Sequence, residues 1–587
     1  MKVTSLRIVS VITVAILLFG SGAAYAQAPF EPAQMSPRTI FYLIWRGAPS
    51  LDVRKANSLL ALWDDPEFVP VRSAVAAGLF SSTEEKSAQQ KLTQQEMEEF
   101  VPLLENSFTL GYLPEPLKRA ASNSSAATEA KIPAWNGMFF VYDRTGKEAL
   151  LTKAAVRMRT GEKELPALAQ VTLAGVQVLK IQHKSGVTYW AESGKYAIAS
   201  GEPSVMEEIL GRLNKKAAAA SLAQSATYQE AQPITGSGVL EFFVRIPSLS
   251  DLMLDSNATS FKVRPMVDAV KLEAVHSISG HITLEGAKTH VQAAVLGDAD
   301  HGTLFDIWSE GQASPASLAL VPAEAVSYTE TQIHLMGIYS LVKRVARAAF
   351  PQGQQGNADI LDTVAQARLG MPLPDALALM TGEFASMQTS PSMDGAKQVY
   401  FFGIRKKPEV LRLFHTIFSD QLTSERNEGD TTFLKISLGG NQSNAGVAQW
   451  RFFHVAVTPE MVIGASRQET IREVLAYRAK GGVSAGLSSV PQFQAGRAKY
   501  PENLSGLSYV DFQKIDWQAV KDRWLDESKK AAAARATSLA KEPDQAGNAV
   551  PDWLAQANLQ VIGRHLHYSS SVSWKDSKGI HWDQWLE

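Results

Sequence analysis

The sequence predicts an α+β protein made of two tandem homologous units, each with a largely antiparallel sheet and packed helices. Three observations predict it. The chain has 587 residues, too many for one core at roughly 100–200 residues per domain. Several local patterns return in the same order in the second half. Its strands run into hairpins and Ala-rich segments, without a steady βαβ alternation. Apolar residues are 45% and charged residues 20% of the chain, the balance of an ordinary globular protein. A net charge of -2 leaves no basic excess to attract nucleic acid.

The N-terminus comes first. Lys2 and Arg7 precede a short apolar run, Ile8 to Phe19, and Ala24-Tyr25-Ala26 follows with small residues at both positions a signal peptidase needs. This pattern predicts a cleaved signal peptide over 1–26 and a mature start at Gln27. The run is shorter than the ~20 residues that span a bilayer, and no other stretch is apolar enough to cross one. Membrane contact is expected only through this segment, if it stays uncleaved. The chain has no cysteine, which excludes disulfides, thiol nucleophiles, thiolate zinc sites and a lipidated N-terminal Cys.

Five pairs of segments then repeat. Asn106-Ser107-Phe108-Thr109 matches Gly382-Glu383-Phe384-Ala385, each after an apolar helix end. MFFVYDRTGKEALL from Met138 matches VYFFGIRKKPEVLR from Val399. KYAIASGEPSVMEEILGRL, Lys195 to Leu213, matches EMVIGASRQETIREVLAYR, Glu460 to Arg478. GVLEFFVRI from Gly238 matches GLSYVDFQKI from Gly506. The hairpin His276 to His290 matches His567 to His581. The offsets drift between about 260 and 290 residues, as cheap loop insertions allow. The expected units are 27–297 and 318–587, joined by a linker at 298–317 with an apolar plug at Leu304, Phe305 and Trp308. Ala-rich tracts at Lys215–Ala226 and Lys529–Lys541 favour helix.

One hairpin can be set in register. With the turn at Gly286-Ala287, Glu285 faces Lys288, Leu284 faces Thr289, Ile282 faces Val291 and Ile278 faces Val295. The second side pairs Thr283 with His290 and His281 with Gln292. Apolar residues sort to one side, so the histidine side is expected to face solvent.

The proline-led opening strand, LALMTGEFA (Leu377 to Ala385) and YAIASGEPSVMEEIL resemble a bacterial exported family known only as a domain of unknown function. The resemblance covers most of the mature chain. It implies an exported two-unit α+β protein and brings no catalytic residue to carry over. The first half departs from it, with Asn106-Ser107 where the second has Gly382-Glu383.

No catalytic constellation is legible. Gly482 to Gly486 spells G-x-S-x-G, but it follows a helix rather than the strand a nucleophile elbow requires. Asp298, Asp300 and Gly302 begin like a calcium loop, with Ser309 where a bidentate glutamate is needed. His565 and His567 share a strand face, yet the register sets His581 beside Trp574, over 20 Å along at ~3.4 Å per residue. Asp64 to Glu67 reads as a helix end and turn. Phosphate-binding and dinucleotide fingerprints are absent, so no cofactor is implied. The remaining candidates form binding surfaces: Trp574 and Trp585 on one face of the C-terminal hairpin, and His281 with His290 on the other hairpin. The expected function is an exported, periplasmic or secreted, non-enzymatic binding or assembly protein with an unknown envelope partner or ligand and no nucleic acid. The alternatives are an envelope hydrolase whose site is assembled from distant residues, and a structural filler of the envelope.

Overall fold

A computed structural model describes residues 28–72, 74, 101–114, 137–152, 167–183, 186–214, 220–236, 238–248, 250, 260–299, 302–309, 311, 315–349, 360–393, 397–438, 452–479, 486–497, 500–538 and 552–587. Helices and antiparallel strands are mixed along it, the α+β class that the sequence predicts. Two compact units divide the chain. The first comprises residues 1–61, 73–264 and 272–297, and the second comprises 62–72, 265–271 and 298–587. The expected signal segment, most of the G-x-S-x-G stretch and part of the Asp298 loop lie outside the described residues.

The first unit contributes β1 (Phe41–Trp45), β2 (Phe108–Tyr112), β3 (Met138–Asp143), β4 (Ala167–Leu173) and β5 (Val176–His183). It continues with β6 (Gly186–Ser193), β7 (Tyr196–Ser200), β8 (Leu240–Arg245), β9 (Val275–Glu285) and β10 (Lys288–Gly297). Their pairings are all antiparallel and give the order β10-β9-β8-β1-β2-β3-β7-β6-β5-β4. Strand β1, the first to be made, is therefore central, and it alternates as an inward/outward strand must: Tyr42 and Ile44 are buried, Phe41 and Leu43 half-buried. Helices Pro203–Leu213 and Ala226–Thr235 bury Val205, Met206, Ile209, Leu210, Tyr228 and Ala231 against Tyr42, Ile44, Phe139, Ile198 and Phe243. Pro203 stands at the first helical position, where its missing N–H costs nothing.

The second unit holds β11 (Ser327–Gln332), β12 (Met380–Gln388), β13 (Gln398–Ile404), β14 (Leu422–Glu428) and β15 (Thr431–Ser437). After them come β16 (Phe452–Val457), β17 (Met461–Ala465), β18 (Gly506–Asp511), β19 (Tyr568–Asp576) and β20 (Gly579–Leu586). Their order is β20-β19-β18-β11-β12-β13-β17-β16-β15-β14. Strand for strand, this is the order of the first unit. One face packs Leu318, Tyr328, Phe401, Ile463, Ile471 and Tyr509. The other packs helix Lys407–Ile417, through Val410, on Leu434, Ile436, Val455 and Val462.

The β9–β10 register is the predicted one, pair for pair. The exposure differs from expectation. Leu284, Val291 and Val295 are only half-buried, whereas His281 and His290 are 6% and 8% exposed. Helix Ala226–Thr235 packs on the histidine side, against β8, β9 and β10, so polar alternation there marks a covered face.

The outer strands of the two sheets differ in kind. Among the described residues β4 pairs only with β5, and its sequence ALAQVTL carries no charge. At the matching edge β14 reads LTSERNE, is exposed along most of its length and is braced by Arg472 on Glu428 at 2.6 and 2.8 Å. Charged edges deter pairing with other chains.

Candidate functional site

In both units the central strand pair holds buried ionisable groups, and these are the most chemically loaded positions of the fold. In the first, Tyr42 and Ile44 of β1 lie opposite Phe243 and Glu241 of β8. Glu241 is 2% exposed. It accepts from the Tyr42 hydroxyl at 2.5 Å and from Arg46 Nη2 at 3.0 Å. Arg46 also donates to Glu31 at 2.6 Å, so one guanidinium bridges two carboxylates. Tyr228, on the covering helix, sits 3.4 Å from the Tyr42 hydroxyl. Burial is the largest influence on Glu241 and raises its pKa to about 7; the Tyr42 hydrogen bond and Arg46 oppose the rise and Glu31 adds to it.

The second unit places its charges differently. Tyr328 and Glu330 of β11 lie opposite Tyr509 and Leu507 of β18. Register therefore aligns Tyr42 with Tyr328, Ile44 with Glu330, Glu241 with Leu507 and Arg46 with Gln332. The carboxylate stands on the other strand of the corresponding pair, and a neutral amide occupies the place the arginine has in the first unit. Glu330 is 1% exposed, accepts from Gln332 Nε2 at 2.5 Å, and its Oε2 has no hydrogen-bond partner. Its pKa rises to about 7, through burial first and then through the nearby Glu383 carboxylate, against Gln332 and Arg497.

Glu383 is placed by a bulge. The β12–β13 register shifts between Met380 and Phe384, and Gly382 there has φ +95°. A Cβ at Gly382 would lie 2.1 Å from the Ile333 carbonyl oxygen, so only glycine fits. The bulge turns Glu383 inward, at 2% exposure, to accept from the Ala316 and Ser317 amides at 3.2 and 2.8 Å. Ser317 Oγ is 2.8 Å from the Tyr328 hydroxyl. At the corresponding place in the first unit, Asn106 donates to the Asp143 and Thr145 carbonyls, both at 2.8 Å.

Neither hairpin presents its candidate residues as an open surface. His281 Nδ1 lies 2.5 Å from the Ile234 carbonyl, near the C-terminal end of helix Ala226–Thr235, and so satisfies a carbonyl the helix leaves unbonded. The His281 and His290 rings meet edge-on at 6.5 Å, and His290 Nδ1 is 3.8 Å from Glu285 Oε1. Gly236, with φ +46°, ends the helix and lets the His281 ring approach, since a Cβ there would be 2.9 Å from it. These two histidines are packing residues; the expected solvent-facing surface does not exist.

Trp574 and Trp585 share a face as predicted and are half-buried. Trp574 stacks on His581 at 5.0 Å and leans on Tyr500 at 5.6 Å, against the core. Trp585 Nε1 donates to the Tyr500 hydroxyl at 2.8 Å, which donates to the buried Asp583 at 2.5 Å. The exposed tryptophan of this hairpin is Trp582, at 38%. His581 lies opposite Trp574, as the register requires, and His565 pairs with Asp65 at 2.9 Å. No group of three or more His, Asp or Glu is arranged to hold a metal among the described residues.

Sequence reading missed Arg46, Glu241, Glu330 and Glu383. A signal was present: in GVLEFFVRI and SYTETQ a lone glutamate falls on the inward phase of an alternating strand. No helix among the described residues is long and apolar enough to cross a membrane. No protein-family model, curated protein or solved structure matches the chain.

Proposed function

We propose that this chain is an exported, periplasmic or secreted, non-enzymatic binding or assembly protein, built by duplication of one α+β unit. Export is supported by the charged, apolar and small-residue order of residues 1–26 and by the resemblance to an exported family. Duplication is supported by the common strand order and by five sequence pairs that fall on corresponding strands. The observation that carries the non-enzymatic reading is the closure of both perturbed carboxylates. Glu241 and Glu330 are 2% and 1% exposed, each held by side chains of its own unit. A general acid or base must come within hydrogen-bond reach of a substrate proton, and these two are spent inside a core.

The hydrolase reading keeps one specific support, the buried carboxylate pair Glu330 and Glu383 in the second unit. One experiment separates the two. A tagged chain is expressed from its own promoter, its mature N-terminus sequenced, and its neighbours crosslinked in cells and identified by mass spectrometry. A start at Gln27 and one envelope neighbour, captured equally by wild type and by Glu330→Gln, is the expected result. A hydrolytic activity of the purified mature chain that disappears in Glu330→Gln and in Glu383→Gln would overturn the proposal.

A further inference from the structure

Helix Ile360–Leu369 of the second unit is turned outward for a helix of its composition. Ile360, Leu361 and Val364 are 55%, 39% and 53% exposed, while Ala365 is 7% exposed. Asp362 is directed at helix Leu335–Ala349, where it accepts from the Tyr339 hydroxyl at 2.8 Å and from Lys343 Nζ at 2.7 Å. At 3.6 residues per turn Ile360, Leu361 and Val364 fall on one stripe, and Arg368 continues it a turn beyond Val364. The neighbouring helices add Met336 and Val342, at 36% and 44%, and Ile417, at 45%. Six of the ten large apolar side chains exposed among the described residues thus lie on three helices, Leu335–Ala349, Ile360–Leu369 and Lys407–Ile417.

The charge on these helices is mostly basic, six Lys and Arg against Asp362 and Glu409. Arg347, Arg368 and Arg412 are exposed, and basic side chains outnumber acidic ones on the three helices in a chain whose net charge is -2. Asp362 is already engaged by Lys343 at 2.7 Å. Exposed aliphatic side chains interleaved with arginines are what an interfacial helix offers a membrane: the apolar stripe enters the headgroup–acyl boundary and the cations meet anionic headgroups. A second copy of the chain fits less well, because a two-fold contact would bring two predominantly basic faces together.

We propose that this helical face docks the protein on an anionic lipid surface. The docking is peripheral, by helix Ile360–Leu369 lying in the interface with the exposed side chains of its neighbours beside it, and it does not depend on a protein partner. The test is co-sedimentation of the full mature chain with vesicles of phosphatidylcholine alone or mixed equally with phosphatidylglycerol. Sedimentation with the anionic vesicles only, reduced by added salt, is expected. The pair Ile360→Ser with Val364→Ser and the pair Arg368→Glu with Arg412→Glu should each weaken partitioning about tenfold, with melting curves unchanged because all four side chains are exposed. Failure to sediment, equal binding to neutral vesicles, or variants that bind like wild type would each overturn it. Sedimentation-equilibrium runs on wild type and on the serine pair cover the other occupant. A concentration-dependent dimer dissolved by the serine pair would assign the face to self-association and also overturn the proposal.

Discussion

The two units share a strand order and differ in how they neutralise a carboxylate at the centre of it. In the first, Glu241 has a cation: Arg46 binds it and Glu31 together, with Tyr42 adding a third hydrogen bond. In the second, Glu330 accepts from the amide of Gln332, Arg497 favours its charged form without a hydrogen bond to it, and a further carboxylate, Glu383, raises its pKa. The first carboxylate has a cation beside it and the second has a neutral amide, although burial raises the pKa of both to about 7. The same backbone accommodates both because the inward positions of β1 and β11 are equally closed to water, and a closed site accepts either a paired charge or none.

The largest effect expected from this contrast is on removal of the cation. Arg46→Ala leaves Glu241 and Glu31 without their partner and should destabilise the first unit by about 3–5 kcal/mol. Gln332→Ala, at the corresponding place, should cost about 1 kcal/mol. Urea unfolding followed by hydrogen exchange assigns each loss to its unit; equal losses would break the comparison.

Next comes pH. The folded Glu330 pKa of about 7 lies above the ordinary 4.5, so the native state keeps a proton that the unfolded chain releases. Its contribution is complete below pH 4.5, declines as the pH rises, and is gone above 7. The full span corresponds to at most about 3 kcal/mol. Glu330→Gln mimics the protonated form and should flatten that decline, leaving the variant more stable than wild type at pH 8. Glu241 has the same direction of shift, but Glu241→Gln also breaks its pair with Arg46. It should therefore destabilise where Glu241 is ionised, and opposite signs for the two glutamine variants at pH 8 would sharpen the contrast most.

The bulge gives a smaller difference. Gly382→Ala forces a Cβ against the Ile333 carbonyl at positive φ and should cost about 2 kcal/mol, whereas Asn106→Ala loses two hydrogen bonds to carbonyls and should cost about 1 kcal/mol. The smallest effect is at the edges. Leu168→Lys gives β4 a charge of the kind β14 already has. Its thermal midpoint should move by less than about 0.5 kcal/mol equivalent, while light scattering on heating falls.

Strand positions and hairpin registers were legible because they depend on period and turn chemistry, which are local. The β9–β10 pairing is an example, deduced from Gly286-Ala287 and an opposite-charge pair. Which side of that hairpin faced water was not, because helix Ala226–Thr235 arrives from some fifty residues earlier in the chain and covers the polar side. The same limit hid the ionisable centre. Glu241 and Arg46 are 195 residues apart, and nothing local announces their meeting. The unlike pair Asn106-Ser107 and Gly382-Glu383 was visible as a departure between the halves, but its meaning needed the bulge that aims Glu383 at the Ser317 amide.

The placing of the carboxylate on β8 in one unit and on β11 in the other bears on how such a chain avoids folding into itself wrongly. Two sheets of one strand order in one polypeptide invite exchange, with a strand of one taking the place of its counterpart in the other. If β11 paired with β8 in the native register, Glu330 would stand opposite Glu241, and two buried carboxylates would adjoin with Arg46 left behind on β1. The complementary hybrid, β1 with β18, would set Ile44 against Leu507 and bury the Arg46 guanidinium with Glu241 gone. Each native pairing carries one buried acid, and each hybrid carries two or none. Either exchange would therefore bury a charge without its native partner or set two carboxylates together, and the asymmetry would penalise both.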